Sequence, residues 1–404
     1  MKKYKRIAFQ SSGLMIIACA LFIVMSGCEN DITPSLYDPD YVGKPQPIVD
    51  SISPSGGALA ATIPITIYGK NFSATPDENY VFFSGKAGTI VTATATQLVV
   101  NTPADSGNMS VKVGVTGADL YSAEKTYRLD LAVEPFGNFT PPTNGAAGLT
   151  PDSAGNIYFN LLASNIDNGV YIITPGGVKT QYGNKLSGNI SWTSLKLGQD
   201  NLLYAARNLR AVYRFGVGGG NAAPWVSIPS PNTITDMDFD QNGNLWTGGK
   251  AIGIYCIKPD KSFKVSTFSA TVRAVRVFNG HLYFSALKDS VEQVFKAPIT
   301  GDTLGTITPY FNFENTFGQG YSGLSMTFSS DGYLYIATKA PEGIIIVAPD
   351  GTYSTPFKGY AANFGTSCIS LAWGEGEKLL VSTFEGNLNI LRTNKTGAPY
   401  YGVQ

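Results

Sequence analysis

Eight side chains in the C-terminal part of this 404-residue chain have the chemistry of ligand contact rather than of bond cleavage. They are Trp192 in GNISWTS, Arg207, Asn208 and Arg210 in AARNLRA, Lys250 in GGKAI, Arg273 in TVRAV, Tyr321 in GQGYSG and Lys339 in ATKAPEG. Each sits in a polar or Gly-rich stretch between strand-like runs. Aromatic faces offer apolar surface to a sugar ring, while amide and guanidinium groups donate to its edge. The cationic members favour an acidic or sulfated ligand. A nucleophilic or metal-assisted reaction has less to work with: His281 is the only histidine, in a turn before a strand, and no catalytic residue, metal site or cofactor is expected. The two cysteines on strand-like segments, Cys256 and Cys368, read as buried free thiols.

The elements that must position these groups are strands. With 45 glycines, 23 prolines and 12% aromatics, the composition is that of short strands and tight turns. Twenty-nine basic residues balance 29 acidic ones, so no global field draws the chain to nucleic acid, and none is expected as a partner.

The N-terminus reads differently. MKKYKR is basic and Leu14 to Met25 is apolar over about a dozen residues, short of the roughly 20 that span a bilayer. Met25-Ser26-Gly27-Cys28 then resembles the bacterial lipobox, which implies a lipoprotein signal peptide at 1–27 and an acylated Cys28 holding the chain on a membrane. Glu29, Asn30 and Asp31 resemble an export signal to the outer face of the outer membrane. Residues 28–46 show no period of 2 or 3.6 and are expected to form a flexible tether.

From 47 to 130, alternating β-branched and aromatic residues between Gly, Pro and Asn turns describe a small sandwich. Ile52-Ser53-Pro54, Ile67-Tyr68-Gly69-Lys70-Asn71-Phe72 and Asn101-Thr102-Pro103 resemble the opening, strand end and turn of the IPT/TIG immunoglobulin-like family. Gly69 is expected to permit a turn, with Asn71 bonding it and Phe72 returning to the core.

Over 131–404 one phrase recurs, ending at Tyr158, Tyr204, Trp246, Tyr283, Tyr335 and Leu380, at steps of 37 to 52 residues. That is the period of a four-stranded propeller blade, and six repeats predict six blades. The D-x-x-G turns Asp152 to Gly155 and Asp240 to Gly243 join first and second strands. Either AVEPFGNFT at 132–140 or the C-terminal TGAPYYG is expected to complete the last blade. Trp225, Trp246 and Trp373 fall on strand positions that pack blades together. The pattern resembles NHL-type and gluconolactonase-like six-bladed propellers. The latter hold a divalent cation through carboxylates and amides, where this chain has Ala147, Thr235 and Gly323. Asp236 and Asp238 fall one residue off or point into blade packing.

The expected protein is therefore all-β: an IPT/TIG sandwich followed by a six-bladed β-propeller. It looks like a non-catalytic surface lipoprotein of a polysaccharide-utilisation system, lipid-anchored in the outer membrane and facing outward, with a polysaccharide or oligosaccharide ligand. The alternative is a protein-interaction scaffold docking on an outer-membrane transporter or secretion complex; a propeller hydrolase or lactonase stands third. Cys28→Ser should abolish metabolic labelling with palmitate and release the protein from membranes. Replacing Glu29 and Asp31 should leave labelling intact and reduce cleavage by protease added to whole cells.

Overall fold

The computed structural model describes residues 40 and 42–403, apart from 141–143, 165, 188–189, 341 and 361. The signal peptide, Cys28 and most of the tether lie outside the described residues. Among those described, no helix is long and apolar enough to cross a membrane.

The N-terminal unit is a two-layered sandwich. One layer orders Ile48–Ser53, Ile65–Lys70, Gln97–Asn101 and Lys86–Thr94; the other orders Asn79–Phe83, Gly107–Val115, Lys125–Leu131 and Ala58–Ala60. Alternation supplies its core: Ile65 and Ile67, Leu98 and Val100, Val111 and Val113, Tyr127 and Leu129 all point inward. Gly69 has a different reason from the expected one. A Cβ there would stand 1.9 Å from the Ile48 carbonyl oxygen and 2.5 Å from the Phe72 ring, so close approach demands glycine. The left-handed residue is Asn71, at φ 62°, and its Nδ2 donates to the Gln46 carbonyl at 2.8 Å.

Chain entrance and exit lie at opposite ends of this sandwich. Lys44 N donates to Gly117 O at 2.6 Å and Gln46 Nε2 to Tyr121 O at 2.6 Å, both just beyond the Val115 end of Gly107–Val115. Leu129 pairs with Gly107 at the other end, from which the chain leaves. At about 3.3 Å per residue the strand between them spans on the order of 30 Å.

Six blades follow, each opening on a strand nearest the axis: Asn144–Pro151, Ser194–Leu197, Asp236–Phe239, the second half of Phe263–Phe278, Gly323–Phe328 and Cys368–Trp373. The long strand Phe263–Phe278 is the outer strand of blade 3 and the inner strand of blade 4. The expected aspartate turns form at the hairpins. Asp240 Oδ1 accepts from Asn242 N and Asn244 N at 2.9 and 3.0 Å, and Gly243 takes φ 77°; Asp152 and Gly155 repeat the arrangement. Trp246 and Trp373 are buried between blades, whereas Trp225 packs half-buried against Tyr204. Cys256 and Cys368 are buried and unpaired.

Of the two terminal segments, Val133–Pro135 closes the ring: Val133, Glu134 and Pro135 pair with Leu391, Ile390 and Asn389. The C-terminal segment instead crosses beneath the axis. Ala398 N donates to Phe328 O, and the Tyr400 hydroxyl accepts from Trp373 N at 3.1 Å and bonds Thr327 Oγ1 at 2.9 Å. Gln199 Nε2 reaches Tyr401 O at 3.2 Å, and Val403 packs against the Leu195 cluster of blade 2. The tail thereby pins blades 2, 4, 5 and 6 from one side. Tyr400→Ala should cost about 3 kcal/mol and Tyr400→Phe about 1 kcal/mol, the latter by leaving Trp373 N without its acceptor. Denaturant unfolding of the two variants beside wild type measures both.

Candidate functional site

Inner strands have one edge without a strand neighbour, and their side chains resolve that edge. Leu149 N donates to Ser370 Oγ and Leu371 N to Ser325 Oγ, each at 3.1 Å. Val275 N and Val277 N donate to Asp236 Oδ2 and Asp238 Oδ2 at 2.8 and 2.9 Å. In each case a polar side chain on one blade caps the backbone of the next. Residues two apart on a strand share a face, so Asp236 and Asp238 both do this while Met237 turns into the apolar packing. Of the two aspartates expected to fall one residue off or to point into blade packing, Asp238 is buried between blades, whereas Asp236 lines the central cavity.

At the level of Asp238 the strand register places Thr150, Lys196, Asp238, Arg276, Thr327 and Ala372 opposite Tyr158, Tyr204, Trp246, Tyr283, Tyr335 and Leu380. Arg276 is fully buried, and its Nη1 donates to Asp238 Oδ2 at 2.8 Å. Its Nη2 donates to Pro399 O at 2.8 Å, and its guanidinium lies 4.2 Å from the centre of the Tyr400 ring. The tail therefore roofs this layer from below.

Above it, around the starts of the inner strands, lies a cavity of about 340 Å³ lined from all six blades. Its wall includes Ser194, Lys196, Asp236, Arg273, Ser325 and Ser370. The size lies in the range of small-molecule sites, about 300–1,000 Å³. Enclosure raises the Asp236 carboxyl, against the opposing pull of Lys196 and of the Ser194 hydroxyl that bonds it. Ala147 and Thr235 also line this wall and contribute no carboxylate. A larger cavity of about 570 Å³ lies between sandwich and blade 6, bordered by Gly57, Ile63, Glu375 and Lys378. It is a cleft between surface turns, whereas the central cavity gathers polar groups that the fold itself must place.

The eight predicted contact residues do not form one surface. Trp192 is a correction: it is 1% exposed, edge-on to Tyr213 and Phe215, and offers no open face for stacking. Its apolar ring is worth more inside blade packing than in a loop. Arg207 is spent on the same cluster, 4.5 Å from the centre of the Tyr213 ring, with Nη2 donating to Tyr213 Oη at 2.6 Å. Arg273 lines the cavity but pairs with Glu292, its Nε donating at 2.8 Å. Asn208 is left-handed at φ 56° and accepts from Thr235 Oγ1 at 3.3 Å. Tyr321 stacks on Phe317 and donates to Glu342 at 2.5 Å, a bond that pushes its phenol up to about 12. Lys339 lies over Phe384 at 4.8 Å, and Arg210 and Lys250 are exposed. His281 is half-buried, its Nδ1 bonding Asn279 O at 2.9 Å.

Two units in this order, a sandwich and a six-bladed ring with a polar central cavity, invite comparison with known proteins. Residues 47–129 match the IPT/TIG domain model. No curated protein matches the chain. Solved structures similar to it include a candidate phosphatase from Bacteroides thetaiotaomicron, 13% identical at TM-score 0.61, covering 90% of this chain and 98% of that one. An auxiliary nutrient binding protein from the same organism is 11% identical at TM-score 0.55, covering 88% and 98%. The calcium-binding protein regucalcin from Agrobacterium tumefaciens is 15% identical at TM-score 0.51, covering 66% and 96%. What is shared at these identities is the fold. The first two share both units, whereas regucalcin covers a smaller part of this chain.

Lys196, Asp236, Ser325 and Ser370 were absent from the expected site. The repeated phrase holds the signal that finds them: each inner-strand residue opposite its final position, or two residues before that, faces the neighbouring blade near the axis. The raised Asp236 carboxyl also carries a sign. The folded state holds that proton more tightly than the unfolded chain does, so stability falls as pH rises from the ordinary carboxylate range through the raised value. Asp236→Asn should therefore raise the unfolding temperature at about pH 7, and the gain should shrink toward about pH 4. Thermal unfolding at both values tests this.

Proposed function

We propose that this chain is a non-catalytic, lipid-anchored accessory protein of the outer membrane that binds a saccharide in its central cavity, as part of a polysaccharide-utilisation system. The observation that carries the reading is the central cavity, lined from all six blades, with hydroxyl and charged groups from five of them. A small polar ligand meets hydrogen-bonding side chains there from five of the six blades. The auxiliary nutrient binding protein among the similar folds supports an accessory role of this kind. The sandwich would act as a spacer, since a tether entering at one end leaves the propeller at the other.

A second reading is a scaffold docking on a transporter or secretion complex. It draws on Ile166, Leu209, Ile252 and Phe384, apolar and 42 to 57% exposed, in the turns between second and third strands or in the first residues of the third strands of four blades. Calorimetry of the full chain in detergent against neutral and acidic oligosaccharides separates the two. Thr235→Trp, which fills the cavity mouth, should weaken saccharide binding by more than about tenfold, while Arg210→Ala on the exposed rim should change it less than about twofold. Full affinity in the Thr235→Trp protein would exclude the cavity. Absence of binding to every saccharide, with co-purification of a membrane partner, would favour the scaffold.

A further inference from the structure

The cavity wall is unbalanced in its hydrogen bonding. The one carboxylate in its lining is Asp236, whose Oδ2 already takes Val275 N. Behind the lining, Glu292 Oε1 takes the guanidinium of Arg273, while Glu292 Oε2 has no partner. Asp238 Oδ2 takes both Arg276 Nη1 and Val277 N.

Several of its donors have no hydrogen-bond acceptor. The Lys196 ammonium, on a side chain 12% exposed, lies 3.8 Å from Asp238 Oδ1, an ion-pair contact too long for a hydrogen bond, and 5.6 Å from the centre of the Tyr400 ring. An ammonium has three N–H groups and no acceptor function, and withdrawing it from water without partners is costly. Ser325 and Ser370 each spend a lone pair on a neighbouring backbone N–H, which leaves their hydroxyl protons free to donate inward.

Donors on Lys196, Ser325 and Ser370, from blades 2, 5 and 6, thus line a space whose one carboxylate, Asp236, already takes a backbone N–H. Resting on the saccharide-binding reading, we propose that the ligand's anchoring group is a carboxylate and that the saccharide is acidic, a uronic acid residue held by Lys196 and steadied by the Ser325 and Ser370 hydroxyls. A carboxylate supplies about four lone-pair positions in a plane and complements such a donor set, whereas a neutral sugar hydroxyl brings a proton of its own that needs an acceptor. Lys196 distinguishes the two because a charge-assisted bond is roughly twice as strong as a neutral one.

Galacturonate oligomers and their methyl esters, titrated calorimetrically into the full chain, differ only in this group. Esterification should weaken binding by about tenfold or more, and Lys196→Met should erase the difference by lowering affinity for the acid form alone. Ser325→Ala and Ser370→Ala, which delete no charge, should each cost a few-fold, and a thermal melt of every variant confirms that it is folded. Equal binding of acid and ester, or an undiminished preference in a folded Lys196→Met protein, would overturn the proposal while leaving saccharide binding in place. Acetate binding as tightly as the oligomer would overturn the sugar component. Failure of every saccharide to bind would remove the underlying reading as well.

Discussion

Each blade of a radial ring leaves one strand edge turned toward the axis, and the N–H groups on that edge need acceptors. An unmet buried donor costs about 1–3 kcal/mol. Here the acceptors are Ser370, Ser325, Asp236 and Asp238, each reaching from its own blade to the backbone of the next. The tail extends the same solution below, where the Tyr400 hydroxyl takes Trp373 N. Short polar side chains are therefore forced to the centre by the backbone. A cavity lined by them is a by-product of closing the ring, and ligand chemistry builds on groups the fold already requires.

The buried charges follow the same logic. Arg276 sits at full burial because Asp238 and two tail carbonyls surround it. Lone burial of a guanidinium would be prohibitive, and removing one partner of such a pair typically costs about 3–5 kcal/mol. The tail is thus held electrostatically as well as sterically. Lys196, next in the same layer, shares Asp238 and Tyr400 at longer range, 3.8 and 5.6 Å, and takes no tail carbonyl.

Much of the fold was legible because it is periodic. The phrase ending at Tyr158, Tyr204, Trp246, Tyr283, Tyr335 and Leu380 marks the second strand of every blade, and alternation explains the buried inner faces of the sandwich. The site was much less legible. Trp192 and Arg207 sit in Gly-rich and polar text that reads as loop surface, yet they pack against Tyr213. Local wording cannot reveal a partner on another strand. Gly69 was marked correctly as constrained for the wrong cause, since a carbonyl from Ile48 is what leaves no room for a Cβ. The choice between Val133–Pro135 and the tail as closing strand depended on pairing across nearly the whole ring.

That closing strand sets an order of events in synthesis. Val133–Pro135 leaves the ribosome before any blade strand that follows it, yet its partners lie in blade 6, and the adjoining contact from Arg392 to Leu131 spans 261 residues. Loop closure over such a distance is slow relative to local hairpin formation. The nascent chain must therefore carry an unpaired strand, hinged to a finished sandwich, until blade 6 emerges.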